Sequence, residues 1–140
     1  MFELDPRLRQ DCFALGKLPL CQLLLMNNAA LPWFILVAET DVIEVCDLSP
    51  GDQAALLAEI NEVSNLVREF DGVEKLNVGA IGNIVSQLHV HVVGRHPGDY
   101  CWPGVVWGSK VPRRYQAQEV DDIRTLAVSS LGQRFTPADS

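Results

Sequence analysis

SQLHVHVVGR, residues 86 to 95, sets two of the chain's three histidines two positions apart in a run that alternates between apolar and polar side chains. A period of two predicts a strand, here Val85 to Val93, because successive side chains of an extended chain leave by opposite faces. Leu88, Val90 and Val92 then share one face, and Gln87, His89 and His91 share the other. The apolar face belongs to a core. The histidine face is either the solvated side of a half-exposed antiparallel sheet or a site, and its surroundings favour a site. Imidazoles at i and i+2 stand about 6 to 7 Å apart, close enough to share one small anion. Just upstream, GAIGN (residues 79 to 83) offers glycines that let backbone N–H groups approach a phosphate, and Asn77 and Asn83 add uncharged donors. The same glycines would serve an ordinary hairpin equally well. Downstream, RHPGDYCWPGVVWG (residues 95 to 108) is a stiff, aromatic segment that has to pack against something.

Working outward, the apolar runs LCQLLLM (residues 20 to 26) and WFILVA (33 to 38) are separated by NNAALP and read as neighbouring antiparallel strands. KLNVGA (75 to 80) reads as another, joined to the histidine strand through IGN at 81 to 83. Between them lies a helix. Ser49 suits its N-cap, Pro50 its first position, and Asp52 its positive end. Leu56, Leu57, Ile60, Val63, Leu66, Val67 and Phe70 recur at helical spacing, and Asp71-Gly72 ends the run. FELDPRLRQDC (2 to 12) predicts a short opening helix with Asp5 as cap and Pro6 next, and a last helix is expected over residues 119 to 131. The order strand, strand, helix, strand, strand predicts an α+β fold: an antiparallel sheet with helices packed on one face. At 140 residues, without repeat or linker, the chain reads as a single domain over 1–140.

The totals exclude several classes. A net charge of −7 and a pI near 4.8 oppose a surface that tracks nucleic acid, so any phosphate must be held locally. The longest apolar stretch, Ala29 to Ala38, is interrupted by Pro32 and falls short of the roughly 20 residues a membrane span needs. MFELDPRLRQ lacks the cationic start and apolar stretch of a signal peptide, which predicts a cytoplasmic protein. Cys12, Cys21, Cys46 and Cys101 have no zinc or redox spacing and read as reduced thiols in or near the core.

QLHVHVV resembles the signature of the histidine triad (HIT) superfamily, in which alternating histidines are separated by single apolar residues. The resemblance extends over roughly residues 5 to 110: MNNAALPWFILVAE is similar to the family's base and ribose pocket, and the helix from Ser49 and KLNVGAIGN follow in the family's order. Small bacterial members with Gln at the first triad position and a WPGxVWG-like stretch afterwards look most similar. The resemblance implies a HIT-like sheet domain, a homodimer that binds a nucleotide and cleaves a bond at its alpha phosphorus without a metal or other cofactor. It assigns His89 as nucleophile, His91 as the phosphate-contacting histidine, Asn27 or Asn28 to the ribose, and Asn77, Gly82 and Asn83 to the phosphate side. Gln87 departs from the pattern. Glutamine carries no titratable proton, although the carbonyl of residue 87 can still hold the His89 ring with Nε2 free.

The predicted chemistry is attack by neutral His89 on the alpha phosphorus, giving a nucleotidyl-histidine that water hydrolyses. Three further features enter with bland readings: His96 as a loop residue after the strand, Lys110, Arg113 and Arg114 as a solvated basic cluster, and Trp102 and Trp107 as packing groups. Two rival functions stand beside the enzyme. One is a nucleotide-binding regulatory module with little turnover, motivated by Gln87. The other is a metal site, since His-x-His on a strand is also a ligand pair.

Overall fold

In the computed structural model, which describes residues 1–139, the two histidines open strand β5 (His89–Arg95). The other strands are β1 (Cys12–Lys17), β2 (Cys21–Met26), β3 (Trp33–Ala38), β4 (Lys75–Gly79) and the two-residue β6 (Thr136–Pro137). All pair antiparallel, in the order β4-β5-β3-β2-β1-β6, so β5 lies between β3 and the edge strand β4. The strand starts at His89 and not at Val85. Gln87 turns its carbonyl to the His89 ring and its side chain to the N-terminal segment, leaving Leu88, which accepts from the Ala38 N–H at 3.3 Å, as the last link to the ladder.

Both faces of the sheet centre are covered: every residue of β3 and β5 is buried. On one face Leu23, Leu25, Phe34, Leu36, Val90 and Val92 lie beneath α2 (Pro50–Val67) and α3 (Ala117–Leu131). On the other, Leu24, Trp33, Ile35, Val37 and Val93 pack with Leu8 of α1 (Pro6–Asp11) and with Val106. The two long helices share a face, as the element order predicts. Only the short α1 joins the segment after β5 on the opposite side, and the histidine face is therefore roofed rather than solvated.

Local chemistry explains the helix ends. Ser49 Oγ accepts the Asp52 N–H at 3.1 Å at the start of α2, and Gln116 and Glu119 form a reciprocal capping box at the start of α3. The expected apolar stripe of α2 needs one correction: Leu57 is 59% exposed, whereas Glu59 is fully buried within the stripe. Its carboxylate accepts the Leu20 and Cys21 N–H groups, each at 2.9 Å, and ties the helix to the start of β2. β1, absent from the sequence reading, carries a register shift between Ala14 and Gly16. A Cβ on Gly16 would stand 2.3 Å from the Thr136 carbonyl, so the bare backbone there is what admits β6. All four cysteines are free thiols; Cys46, expected in or near the core, is exposed. Among the described residues no helix is long and apolar enough to cross a membrane.

Candidate active site

The register of β3, β5 and β4 builds the floor of the site. Val37 pairs with His89, Ile35 with His91, Trp33 with Val93, and Gly79 of β4 with His91. These residues share one face because cross-strand partners project to the same side. His89 and His91 are each 6% exposed, with ring centroids 5.0 Å apart in an edge-on arrangement. Gly79 leaves room for the Trp107 ring, whose nearest atom would lie 3.4 Å from a Cβ at that position, and Trp107 reaches to 5.6 Å from the His91 ring centre.

Each of these two imidazoles has one nitrogen fixed by a neighbouring group. His89 Nδ1 lies 2.7 Å from the Gln87 carbonyl oxygen. A carbonyl only accepts, so Nδ1 carries the proton and, in the neutral ring, Nε2 keeps its lone pair. His91 Nδ1 lies 3.0 Å from the indole N–H of Trp33, which only donates. Burial, with a smaller contribution from the neighbouring His89, pushes the His91 pKa down to about 4. The histidine strand thus offers a lone pair from one ring and an N–H from the next.

Two adjoining recesses open onto these rings. One, of about 390 Å³, is lined by both histidines, Gly82, Asn83, Ile84, Met26, Trp107 and, from α1, Arg7 and Asp11. The next, of about 360 Å³, continues past His91 and Trp33 to Asn27, Asn28, Ser109 and Arg114. A third, of about 370 Å³, meets His89 from the other side of Gly82 and Asn83, along Glu44, Cys46 and Gln87. These volumes are within the range of small-molecule sites. Gly82 has φ +68°, which a side chain would strain, and it sits on the lip between the recesses.

The structure brings His89, His91, Gly82 and Asn83 together and sets Asn27 and Asn28 further along the same opening. Asn27 Oδ1 accepts the Tyr115 N–H, while Asn28, 1% exposed, accepts from Ala30 N–H and donates to the Tyr100 hydroxyl. Asn28 therefore braces the wall. Asn77 stands apart: on β4 it pairs with Val93, away from the recesses, and its Oδ1 accepts from Arg95 at 2.8 Å. Gln87 meets His89 through its main chain, as the sequence allows, while its side chain is spent on the N-terminal segment. Oε1 accepts the Asp5 N–H at 2.9 Å, Nε2 donates to the Glu3 carbonyl at 2.8 Å, and only the main chain of residue 87 reaches His89. His96 turns its ring to the Pro97 carbonyl. The basic cluster divides, Arg113 pairing with Glu119 while Arg114 lines the second recess. Among the described residues no group of three or more His, Cys, Asp or Glu side chains is placed to hold a metal ion.

Sequence reasoning missed the brace behind the site. Arg95, 1% exposed, makes two hydrogen bonds to Asp99, at 2.8 and 2.9 Å, and a third to the Gly104 carbonyl, with the Trp102 ring 5.6 Å from its guanidinium carbon. Hydrogen bonding to Arg95 holds the Asp99 carboxyl well below the usual carboxylate range. This pair pins the segment that carries Trp107. A signal was present: Arg95 lies in period with His89 and His91, on the face that the sequence marks as special.

A six-stranded antiparallel sheet with helices on one face and two oppositely set imidazoles at a glycine-lined recess defines an α+β class of sheet domain. The sequence matches the HIT domain over residues 7–98, and the chain belongs to the HIT family. A histidine triad protein of Sinorhizobium meliloti is 44% identical, with 94% of this chain and 98% of that chain covered and a TM-score of 0.89. One from Bradyrhizobium japonicum is 38% identical with the same coverage and TM-score, and one from Marinobacter aquaeolei is 39% identical, covering 94% and 96%, at 0.88. No curated protein matches the chain. Membership of the family suggests nucleotide-binding hydrolase or transferase chemistry.

Proposed function

We propose that this protein is a nucleotide hydrolase or nucleotidyl transferase acting at the alpha phosphate of a nucleotide conjugate, either a phosphoramidate or a dinucleoside polyphosphate. The observation that carries this reading is the 2.7 Å contact between His89 Nδ1 and the Gln87 carbonyl, which leaves the Nε2 lone pair for the recess. The nucleoside lies along Met26, Ile84 and Trp107, with Asn27 toward the ribose and Asn28 behind it. Gly82 N–H, Asn83 and the His91 Nε2–H donate to the non-bridging phosphoryl oxygens, and loss of one such donor typically costs about 10²- to 10³-fold in rate. Asn77 holds Arg95, whose pairing with Asp99 anchors the segment that carries Trp107.

In the first step His89 Nε2 forms a bond to phosphorus while the bond to the leaving group breaks; the leaving group departs with the electron pair and takes a proton from water. In the second, water attacks phosphorus, the bond to Nε2 breaks, and the water proton passes to solvent. Two displacements replace one difficult one. The Gln87 side chain has no proton to give, and absence of general acid help, worth about 10²- to 10⁴-fold, favours substrates with good leaving groups.

The test is to incubate the protein with adenosine phosphoramidate and with a dinucleoside polyphosphate, quench in alkali, and weigh the peptide containing His89. A nucleotide on His89, absent from His89→Ala, is expected; equal release of adenylate by both proteins rejects the mechanism. Gln87 also favours a second reading, a regulatory module that binds nucleotide with little turnover. Tight binding without a trappable adduct would select it. In either case the working unit we propose is a cytoplasmic homodimer.

A further inference from the structure

We propose that Trp33 is a positioning residue that fixes the tautomer of His91, so that His91 meets the phosphoryl group as a neutral Nε2–H donor; its use of that donor rests on the function proposed above. An indole N–H donates and has no lone pair to accept with. Its 3.0 Å approach to His91 Nδ1 therefore requires a lone pair on that nitrogen and leaves the ring's single proton on Nε2. Both side chains are 6% exposed, which keeps water from substituting for either partner.

Trp33 can reach because of register. It pairs with Val93, so its ring lies diagonally across the ladder from His91, a separation that aromatic side chains bridge. The rings meet edge to face with centroids 5.8 Å apart. Trp107 flanks His91 at 5.6 Å, yet its own N–H has no hydrogen-bond partner, which leaves Trp33 as the polar partner of the ring. A main-chain carbonyl keeps the ring proton on Nδ1 of His89, and a donated indole N–H keeps Nδ1 of His91 unprotonated. One recess therefore holds a nucleophile beside a donor. The low pKa of His91, which burial and secondarily the neighbouring His89 push down, agrees with a neutral ring. The charged and titratable groups around the same opening are Arg7, Asp11, Arg114 and His89.

Side-chain ¹⁵N NMR of the wild-type protein decides the assignment without reference to activity. At pH 7 His91 is expected as one neutral tautomer, with Nδ1 unprotonated and Nε2 bearing hydrogen; a proton on Nδ1, or a charged ring, overturns the proposal. In Trp33→Phe, which keeps an aromatic ring and removes the N–H, both neutral tautomers should appear. Nucleotide transfer to His89 from adenosine phosphoramidate should slow about fivefold at unchanged half-saturation, the effect of one hydrogen bond worth about 1 kcal/mol net. A Trp33→Phe spectrum that retains only the Nε2–H form overturns the proposal even if turnover falls. Should that variant not fold, the wild-type spectrum still decides between the two tautomers. Wild-type protein with the expected tautomer but no nucleotide on His89 supports the tautomer assignment and rejects the catalytic reading.

Discussion

His91 links stability to pH because its folded pKa lies near 4, below the ordinary 6.5. A depressed base binds its proton more readily in the unfolded chain, so its contribution is fully present above about pH 6.5 and is lost as pH falls toward 4. At about 1.4 kcal/mol per unit the loss approaches about 3 kcal/mol, and urea titrations between pH 7.5 and 4 should show it in wild type and not in His91→Asn. Asp99 acts in a lower window, because its carboxyl is depressed and its contribution declines only as pH falls below the ordinary carboxylate value. Asp99 and Arg95 also carry a prediction of their own. Their side chains are 2% and 1% exposed, so Asp99→Asn, which leaves a buried guanidinium without its counter-charge, should cost about 3 to 5 kcal/mol in thermal unfolding. The double variant Arg95→Met, Asp99→Leu should lose less than the single one, because no orphaned charge remains. At this scale the histidines were legible from their period of two. The partners were legible only in part. Nothing in the sequence says that the Trp33 N–H lands on His91 rather than on solvent, since that depends on how β3 and β5 align.

At the scale of elements, β3 matched its apolar run residue for residue, and β2, β4 and α2 were found within about one turn or less of their observed ends. Those runs pair strong periodicity with punctuation: Pro32, Ser49-Pro50 and Asp71-Gly72. β1 lacked both. Its bulge at Ala14 and Gly16 breaks the alternation, and α1 runs into it without a turn residue, so the expected helix ended at Cys12 and the strand after it was not read. The start of β5 failed differently, because Gln87 satisfies its groups through the N-terminal segment and leaves the alternation visible where the ladder is not. β5 itself depends on a glycine that sequence reading passed over. A Cβ on Gly94 would lie 2.8 Å from methyl carbons of both Val67 and Val73 and 3.0 Å from Pro32, contacts with a helix end and two loops that close on the strand. Gly94→Ala should destabilise by about 1 to 3 kcal/mol through overpacking, read as a lower urea midpoint at unchanged slope. Trimming Val73 to Ala should recover part of that loss. No recovery would mean that the strain lies in the backbone and not in the packing.

The whole molecule poses a question through its two sheet edges. β6 ends one side with two residues, a short edge of the kind that resists pairing. β4 ends the other with five, and beyond it no further strand is paired among the described residues. Val78 on this edge is 46% exposed, Ile81 just after it 45%, and Leu57 on the outer side of α2 59%. Large apolar groups on an unblunted edge mark a place where another chain can add its strand, and a two-fold axis lets the same strand serve both partners. Such a contact would also hold β4 from outside, and with it Gly79 and the Trp107 ring seated above it, so assembly and the His91 environment become mechanically connected. Sedimentation equilibrium should therefore give twice the 15.5 kDa of one chain. Val78→Lys, which puts a charge on the edge without touching either histidine, should shift the population to monomer and lower the rate of nucleotide transfer to His89 through looser seating of Trp107. A monomeric wild type would remove the homodimer from the proposal. A monomeric Val78→Lys with unchanged transfer would show instead that the sheet sets the site from within one chain.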